Sequence, residues 1–340
     1  MNKELLNKLC SLDGVSGYEG AVRDFILSEL QKSTVPMDVN VDKMGNILVH
    51  LHGTKPAVNV LQIDAHMDEV GFIITHVCDN GMLRFAAIGG INDGMLFGHR
   101  VRIGSRIGVI GGKAMHLCKG DDGKKVPSAD SLLIDIGCKD AEEAGQYVHV
   151  GDTGTFDADL TWLNNNIYYG KAVDDRIGCL LLLELAMIQP TRDLWLSFST
   201  QEEVGLRGAG VATEAIQPDY VIAVDATTAA DVAGNDGADA VCKMGNGAVV
   251  AFADRATLYD SALYQRIHSI AKEHDIAAQT KTQIAGGNNA GAMQRRLTGA
   301  YTATVSLPCR YIHSPTCMGT VGDYESMYRL ITLLAEDLTQ

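Results

Sequence analysis

Val58-Asn59-Val60-Leu61-Gln62-Ile63-Asp64-Ala65-His66-Met67-Asp68 is an apolar run closed by a histidine and an aspartate two residues apart. A strand that ends in potential metal-site residues is where an open α/β sheet does its chemistry. Two further runs repeat the pattern: Leu194 to Gln201 is followed by Glu202 and Glu203, and Tyr220 to Val224 is closed by Asp225. Three strands are therefore expected to deliver ligand-type side chains to one edge of one sheet.

Outward from this core, Ser16-Gly17-Tyr18-Glu19 has the spacing of a helix capping box, with Val22, Phe25, Ile26 and Leu30 as a helical stripe behind it. Val39–Asp42 and Asn46–His50 flank Lys43-Met44-Gly45 as a hairpin. From about Val70 to Leu163 the pattern changes to short apolar runs, at 71–74, 83–85, 106–110, 131–136 and 147–150, separated by Gly, Asn and Asp. That spacing suggests a small β-barrel, with Lys119–Lys125 as an exposed loop. Helical periodicity returns at Ile177–Met187, Ser261–His274 and Val321–Leu334, with strand-like runs at Val249–Ala253 and Thr302–Leu307. The expected fold class is α/β: a mixed-sheet catalytic domain (1–69 and 164–340) interrupted by a small β-barrel-like insert domain (70–163).

At 340 residues and 46% apolar composition, the chain can fill a large core in two domains. A formal charge of -14 argues against nonspecific nucleic-acid binding and against anionic membranes. No apolar stretch has transmembrane length, and Met1-Asn2-Lys3-Glu4-Leu5 leads into charged helix rather than a signal segment, so a cytoplasmic location is expected. The eight cysteines contain no CxxC and no regular framework, and are read as small core or surface residues.

A dinuclear metal site needs imidazoles, carboxylates and an anionic bridge. His66 lies beyond the first strand, and Asp174 precedes a long apolar helix, where a carboxylate could bridge two cations or simply cap the helix. Glu202 and Glu203 are adjacent and point in different directions, so one can bind metal while the other accepts a proton. Asp225 can ligate beyond the third strand, and His313 can complete the set. Each residue alone has an ordinary structural explanation; their recurrence at strand ends points to a metal-dependent hydrolase.

With His66-Met67-Asp68-Glu69-Val70-Gly71, Asp174-Asp175-Arg176, Gln201-Glu202-Glu203-Val204-Gly205-Leu206-Arg207-Gly208-Ala209 and Arg310-Tyr311-Ile312-His313-Ser314-Pro315 in order, the chain resembles the forty-second family of metallopeptidases over essentially its full length. Those are the glutamyl and tetrahedral aminopeptidases, of which some members have been labelled endoglucanases. The resemblance implies a zinc-peptidase-like catalytic domain holding two divalent metal ions per subunit, Zn²⁺ or Co²⁺ and sometimes Mn²⁺. It assigns His66 and Asp225 to one metal, Glu203 and His313 to the other, and Asp174 to the bridge. Glu202 would be the general base, and Asp68 would accept a hydrogen bond from the His66 ring and set its tautomer. It further implies a homo-oligomer, in which the insert makes a dimer and dimers build a tetrahedral dodecamer.

Two stretches depart from the family pattern. Gly286-Gly287-Asn288-Asn289-Ala290 stands where members commonly carry Gly-Gly-Thr-Asp-Ala, and Thr316-Cys317-Met318-Gly319 lacks the acidic residue expected after His313-Ser314-Pro315. The activity implied is removal of N-terminal residues from short peptides by metal-activated water. A related deacylase or carboxypeptidase is the enzymatic alternative, and an inactive structural or regulatory assembly is the alternative of another class. Glycoside hydrolysis fits less well, since it calls for two carboxyl groups across a sugar cleft. Arg255 is either a contact for an acidic substrate or an exposed salt-bridging arginine.

Overall fold

The computed structural model describes residues 1–114, 117, 125–235 and 237–340. Helices α1 (Lys3–Ser11) and α2 (Gly20–Leu30) lead into the hairpin of β1 (Met37–Val41) and β2 (Ile47–Leu51), and then into β3 (Leu61–His66). Gly45 turns the hairpin at φ +91°, a left-handed conformation that glycine adopts without steric cost.

β4 (Gly71–Val77), β5 (Leu83–Ile88), β6 (Arg100–Ile103), β7 (Arg106–Gly111), β8 (Leu133–Asp135) and, after the short α3 (Ala141–Ala144), β9 (Thr153–Phe156) follow. They close into a barrel in the order β4-β5-β8-β7-β6-β9. Alternate residues point inward, and Phe72 sits edge-on to Phe85 and Phe156 at 5.4 and 5.2 Å. The run 147–150 is not a strand: it follows α3 as turns, and only Val148 enters the barrel core. Of the loop expected at 119–125, residues 119–124 lie outside the described residues.

β10 (Thr161–Trp162), β11 (Ile167–Gly170), α4 (Val173–Ala186), β12 (Leu194–Ser199), α5 (Arg207–Ile216) and β13 (Tyr220–Thr228) continue the chain. They are followed by β14 (Ala248–Val250), α6 (Ser261–Glu273), β15 (Ala278–Thr280), α7 (Ala290–Met293), β16 (Tyr301–Cys309), β17 (Cys317–Thr320) and α8 (Val321–Leu338). The main sheet runs β1-β2-β12-β3-β13-β16-β14-β15, and β10-β11-β17 form a small second sheet that sequence periodicity did not suggest. β12, β3, β13 and β16 are mutually parallel, so their carboxyl ends share one edge. Nearly all of α4 is buried, as befits a helix that is apolar on every side.

Ser16 and Glu19 do not form a capping box. Ser16 Oγ donates to Asp68 at 2.6 Å, and Glu19 Oε1 accepts from the backbone N–H groups of Gly17 and Gln201. Both side chains are spent on fixing loops rather than on the end of α2. Among the described residues, no helix is long and apolar enough to cross a membrane.

A buried ionic network joins α1, the end of β3 and α4. Arg176 is fully buried; its guanidinium donates to the carbonyls of Met67, Leu9 and Leu12 and to Glu69. Lys171 Nζ reaches both Glu69 oxygens at 2.8 and 3.0 Å and the Leu12 carbonyl at 2.8 Å. Arg176→Met keeps most of the volume but leaves those carbonyls unpaired, and should cost about 3–5 kcal/mol in urea unfolding; a loss below about 1 kcal/mol would contradict this role for the network.

Candidate metal centre

The register of the parallel strands decides which side chains meet. Ser199 pairs with His66, and Ala223 pairs with Asp64, so Asp225, two residues further along β13, stands level with His66. β13 continues to Thr228, which places Asp225 inside the strand and not at its end as its sequence suggested. His66 Nε2 lies 3.2 Å from Asp174 Oδ1 and 3.7 Å from Asp225 Oδ1.

Asp174 and Asp175, joined by a cis peptide, diverge. Asp175 takes the capping role: its Oδ1 accepts from Gly178 N at 3.0 Å and its Oδ2 from the His66 backbone N–H at 3.2 Å. A Cβ at Gly178 would collide with both Asp175 carboxylate oxygens, so glycine is required there for the carboxylate to fold back. Asp174 is thereby left free to face the cleft, one oxygen toward His66 and the other 3.3 Å from His313 Nε2.

Asp68 organises the glutamates. Its two carboxylate oxygens accept from the backbone N–H groups of Glu202 at 2.9 Å and Glu203 at 3.1 Å, while Glu19 holds the N–H of Gln201. Two buried carboxylates thus pin three successive amides, and the side chains of Glu202 and Glu203 splay into the cleft. The Asp68 carboxylate also stands 3.4 Å from His66 Nδ1, and its own carbonyl is nearer, at 3.1 Å. Either contact puts a proton on Nδ1 and leaves Nε2 free toward Asp174 and Asp225.

His313 enters from the loop after β16. Its Nδ1 faces the carbonyl of Gly90 at 3.0 Å, in the segment that follows β5, and its Nε2 lies 3.3 Å from Glu203 Oε2. Two sets of donor atoms result, His66–Asp174–Asp225 and Asp174–Glu203–His313, each within 4.8 Å and sharing Asp174. Both sets and Glu202 line a cavity of about 740 Å³, whose lining also includes Asp239, Arg255 and Lys281. Of the sequence-derived candidates, His66, Asp174, Glu202, Glu203, Asp225 and His313 meet in this cavity; Asp68 lies beneath it, fully buried. Sequence reasoning misses Glu69, Lys171, Asp175 and Arg176, although the first, third and fourth lie inside the motifs that carry the family resemblance; nothing in the sequence marks Gly90.

Charge explains what this cleft requires. Burial pushes Glu203 up to about 8, helped by Asp174, and pushes Asp225 up to about 6. It also raises Glu202 and Asp175 well above the ordinary carboxyl range. Asp174 goes the other way, because hydrogen bonds from His313 and His66 outweigh its burial. The same bonds overcome burial on the imidazoles, holding His66 well above its usual value and His313 at about 10. So many carboxyl groups around two imidazoles hold protons in place of other cations, and the mixed nitrogen and oxygen donors suit divalent metals.

Asn289 does not face the cavity. It is buried, and its Nδ2 donates to Asp64 Oδ2 and Ser199 Oγ, both at 2.8 Å, while Ser197 Oγ donates to the other Asp64 oxygen. The departure at 288 and 289 therefore comes with a carboxylate, Asp64 of β3, as the partner of Asn289. Asn288 lines the cavity, with its Oδ1 accepting from Ala290 N.

Two donor sets sharing one aspartate at the carboxyl edge of an α/β sheet constitute a dinuclear metallo-aminopeptidase active site. The chain belongs to the M42 glutamyl aminopeptidase family, whose model matches residues 45–330. It is 34% identical over 346 residues to the lysyl aminopeptidase of Pyrococcus furiosus, covering 98% of this chain and 97% of that protein. Its fold is similar to that of aminopeptidase APDkam598 from the archaeon Desulfurococcus kamchatkensis, with a TM-score of 0.92, 33% identity and coverage of 99% and 94%. It is also similar to the TET1 peptidase of Pyrococcus horikoshii, which can assemble into a tetrahedron or a large octahedral shell (TM-score 0.86, 32% identity, 98% of each chain).

Metal binding must displace the protons held by His66, His313, Glu203 and Asp225, so apparent affinity should fall as pH drops from about 10 to about 6, with proton release on binding. Calorimetry in two buffers of different ionisation enthalpy measures this; identical heats in both would refute it.

Asn289→Asp would set two buried carboxyls face to face and raise the proton affinity of the pair above that of Asp64, which burial already lifts to about 6. A carboxyl raised above its unfolded value costs nothing below that value and costs progressively more up to its folded pKa. N289D should thus match the parent near pH ~4 and fall behind through pH ~6 and beyond, by about 1.4 kcal/mol for every tenfold rise in proton affinity. Combining it with Asp64→Asn should recover most of the loss in urea unfolding, whereas a pH-independent difference would refute the pairing.

Proposed function

We propose that this aminopeptidase removes single residues from the free amino termini of short peptides, with Glu202 as general base and Zn²⁺ or Co²⁺ as the metals, Mn²⁺ being a further candidate. His66 and Asp225 would hold one ion, Glu203 and His313 the other, and Asp174 both. The observation that carries this reading is the splay of two adjacent glutamates from amides pinned by Asp68: Glu203 joins a donor set, and Glu202 lines the same cavity without belonging to either.

Two bound cations would supply a lowered pKa for a water and polarisation of the scissile carbonyl. Glu202 is placed to take the proton of the attacking water and pass it to the leaving amine. Burial and the neighbouring Asp225, Glu203 and Asp68 raise its proton affinity, which suits a group that must hold a proton between two transfers. Asp68 keeps the Glu202 backbone in register and the His66 ring in the tautomer that leaves Nε2 free. Arg255 and Lys281 also line the cavity, together with Asp239, and Arg255 makes no ion pair among the described residues. This balance favours an acidic first residue.

Residues 1–69 and 164–340 would form the catalytic domain and 70–163 the insert. The insert exposes Phe97, Ile107, Val109 and Val150, apolar surface suited to a dimer contact. A dimer as building block, with dodecamers beyond it, is in keeping with the TET1 relative. Convergence of the donor sets argues against an inactive scaffold.

Glu202→Gln should retain both metals and lower kcat about 10²–10⁴-fold on amino-acid arylamides, measured alongside N-acylated controls. An unchanged rate would remove Glu202 from its role, and equal turnover of acylated and free substrates would favour the deacylase alternative.

A further inference from the structure

A second group of metal-type donors lies at the opposite side of the sheet from the barrel junction, near its β1 edge. His50 and His52 are two residues apart at the end of β2, a spacing that turns side chains to the same face. Asp38 of β1 stands directly opposite His50 in the antiparallel ladder, and Trp195 of β12 stands opposite it on the other side. Ile47, Val49 and Leu51 fill the main core from the reverse face of the strand, so the row Asp38–His50–Trp195 lies on the other face, where Trp195 packs beside Leu48, Ala212 and Ile216.

The row is ordered. The His50 ring stacks on Trp195 with centroids 4.4 Å apart and planes 7° apart, and His52 meets His50 edge-on at 4.6 Å. His52 Nε2 lies 3.0 Å from Asp38 Oδ2. A histidine–aspartate hydrogen bond would explain that contact alone, but it leaves His50 unaccounted for: among the described residues its ring nitrogens make no hydrogen bond. One donor atom from each of Asp38, His50 and His52 falls within 4.8 Å of the others.

We propose that Asp38, His50 and His52 form a separate mononuclear site for a late first-row divalent cation, with Zn²⁺ as the probe. Two imidazole nitrogens and a carboxylate oxygen make three protein ligands of a tetrahedral ion, and the exposed side of Asp38 leaves the fourth position to water. The stack on Trp195 holds the His50 ring in place, which spares part of the ordering cost of ligation. A bound ion would clamp the edge strand β1 to β2. The site is separate from the dinuclear centre: Trp195 lies four residues before Ser199, the partner of His66, roughly 13 Å along the strand at about 3.3 Å per residue.

The test is a difference in zinc count on the full chain equilibrated at buffered micromolar Zn²⁺. The parent should hold one Zn²⁺ per chain more than His52→Ala and Asp38→Asn, arylamide turnover should be equal in all three, and an anomalous peak at the zinc edge should lie among the three side chains. Equal counts in parent and both variants would overturn the proposal. The Asp38 side chain is 78% exposed, so Asp38→Asn leaves the core untouched and decides the matter if His52→Ala folds poorly. The difference remains readable even if the dinuclear centre binds fewer than two ions, which keeps this outcome separate from that of the aminopeptidase reading.

Discussion

Like charge confined where water is scarce is the constraint around which this molecule is arranged. Asp68, Asp174, Asp175, Glu202, Glu203 and Asp225 are clustered at the carboxyl edge of one sheet, where among the described residues only His66 and His313 pair with them as positive groups. Buried carboxylates at that density cannot all stay ionised unless hydrogen bonds and cations compensate them. The cleft divides the burden: Asp68 is satisfied by amides and the Ser16 hydroxyl, Asp174 by two imidazoles. Burial raises the proton affinity of Glu203 and Asp225, which together with the two imidazoles are the groups that exchange protons for metal.

Holding such a cluster requires a frame that does not yield. Four parallel strands and a nearly buried α4 bring the donors together. Beneath them Arg176, Glu69 and Lys171 tie α1 to the residues on either side of the centre, by hydrogen bonds to backbone carbonyls as well as by charge. A buried ion pair of this sort gives little net stability over an apolar replacement, but breaking it is costly. That asymmetry makes the network a means of fixing position more than of adding stability.

The barrel is more than an appendage. Gly90, just past β5, gives its carbonyl to His313 Nδ1, so the inserted strands orient a side chain delivered by the far end of the catalytic sheet. Gly89 packs so near that a Cβ there would lie 3.3 Å from the Glu203 Cβ. On the other side of the cleft, Asp64 and Asn289 share the place of a carboxylate and its partner between β3 and α7. Asn289, which stands where the family pattern has a carboxylate, is a buried strut, and the cavity wall is formed by its neighbour Asn288 instead.

What could be read along the chain was whatever local periodicity and residue chemistry encode. Apolar runs ending in His66, Glu202 and Asp225 announced strands carrying donors, and the change of rhythm after Val70 announced a β-rich insert, because alternation and turn residues act over a few positions. Ser16 and Glu19 misled for the same reason: their spacing suits a helix cap, but partners 52 and 182 residues away claimed both side chains. Strand register, the diversion of Asp175 into a cap, the amide grip of Asp68 and the reach of Gly90 depend on which distant segments become neighbours. Amino-acid order alone determined the donor types and the kind of sheet that would present them. Only packing decided their pairing, since a hydrogen bond or a shared cation is settled by a few tenths of an ångström between atoms that the chain itself keeps a hundred or more residues apart.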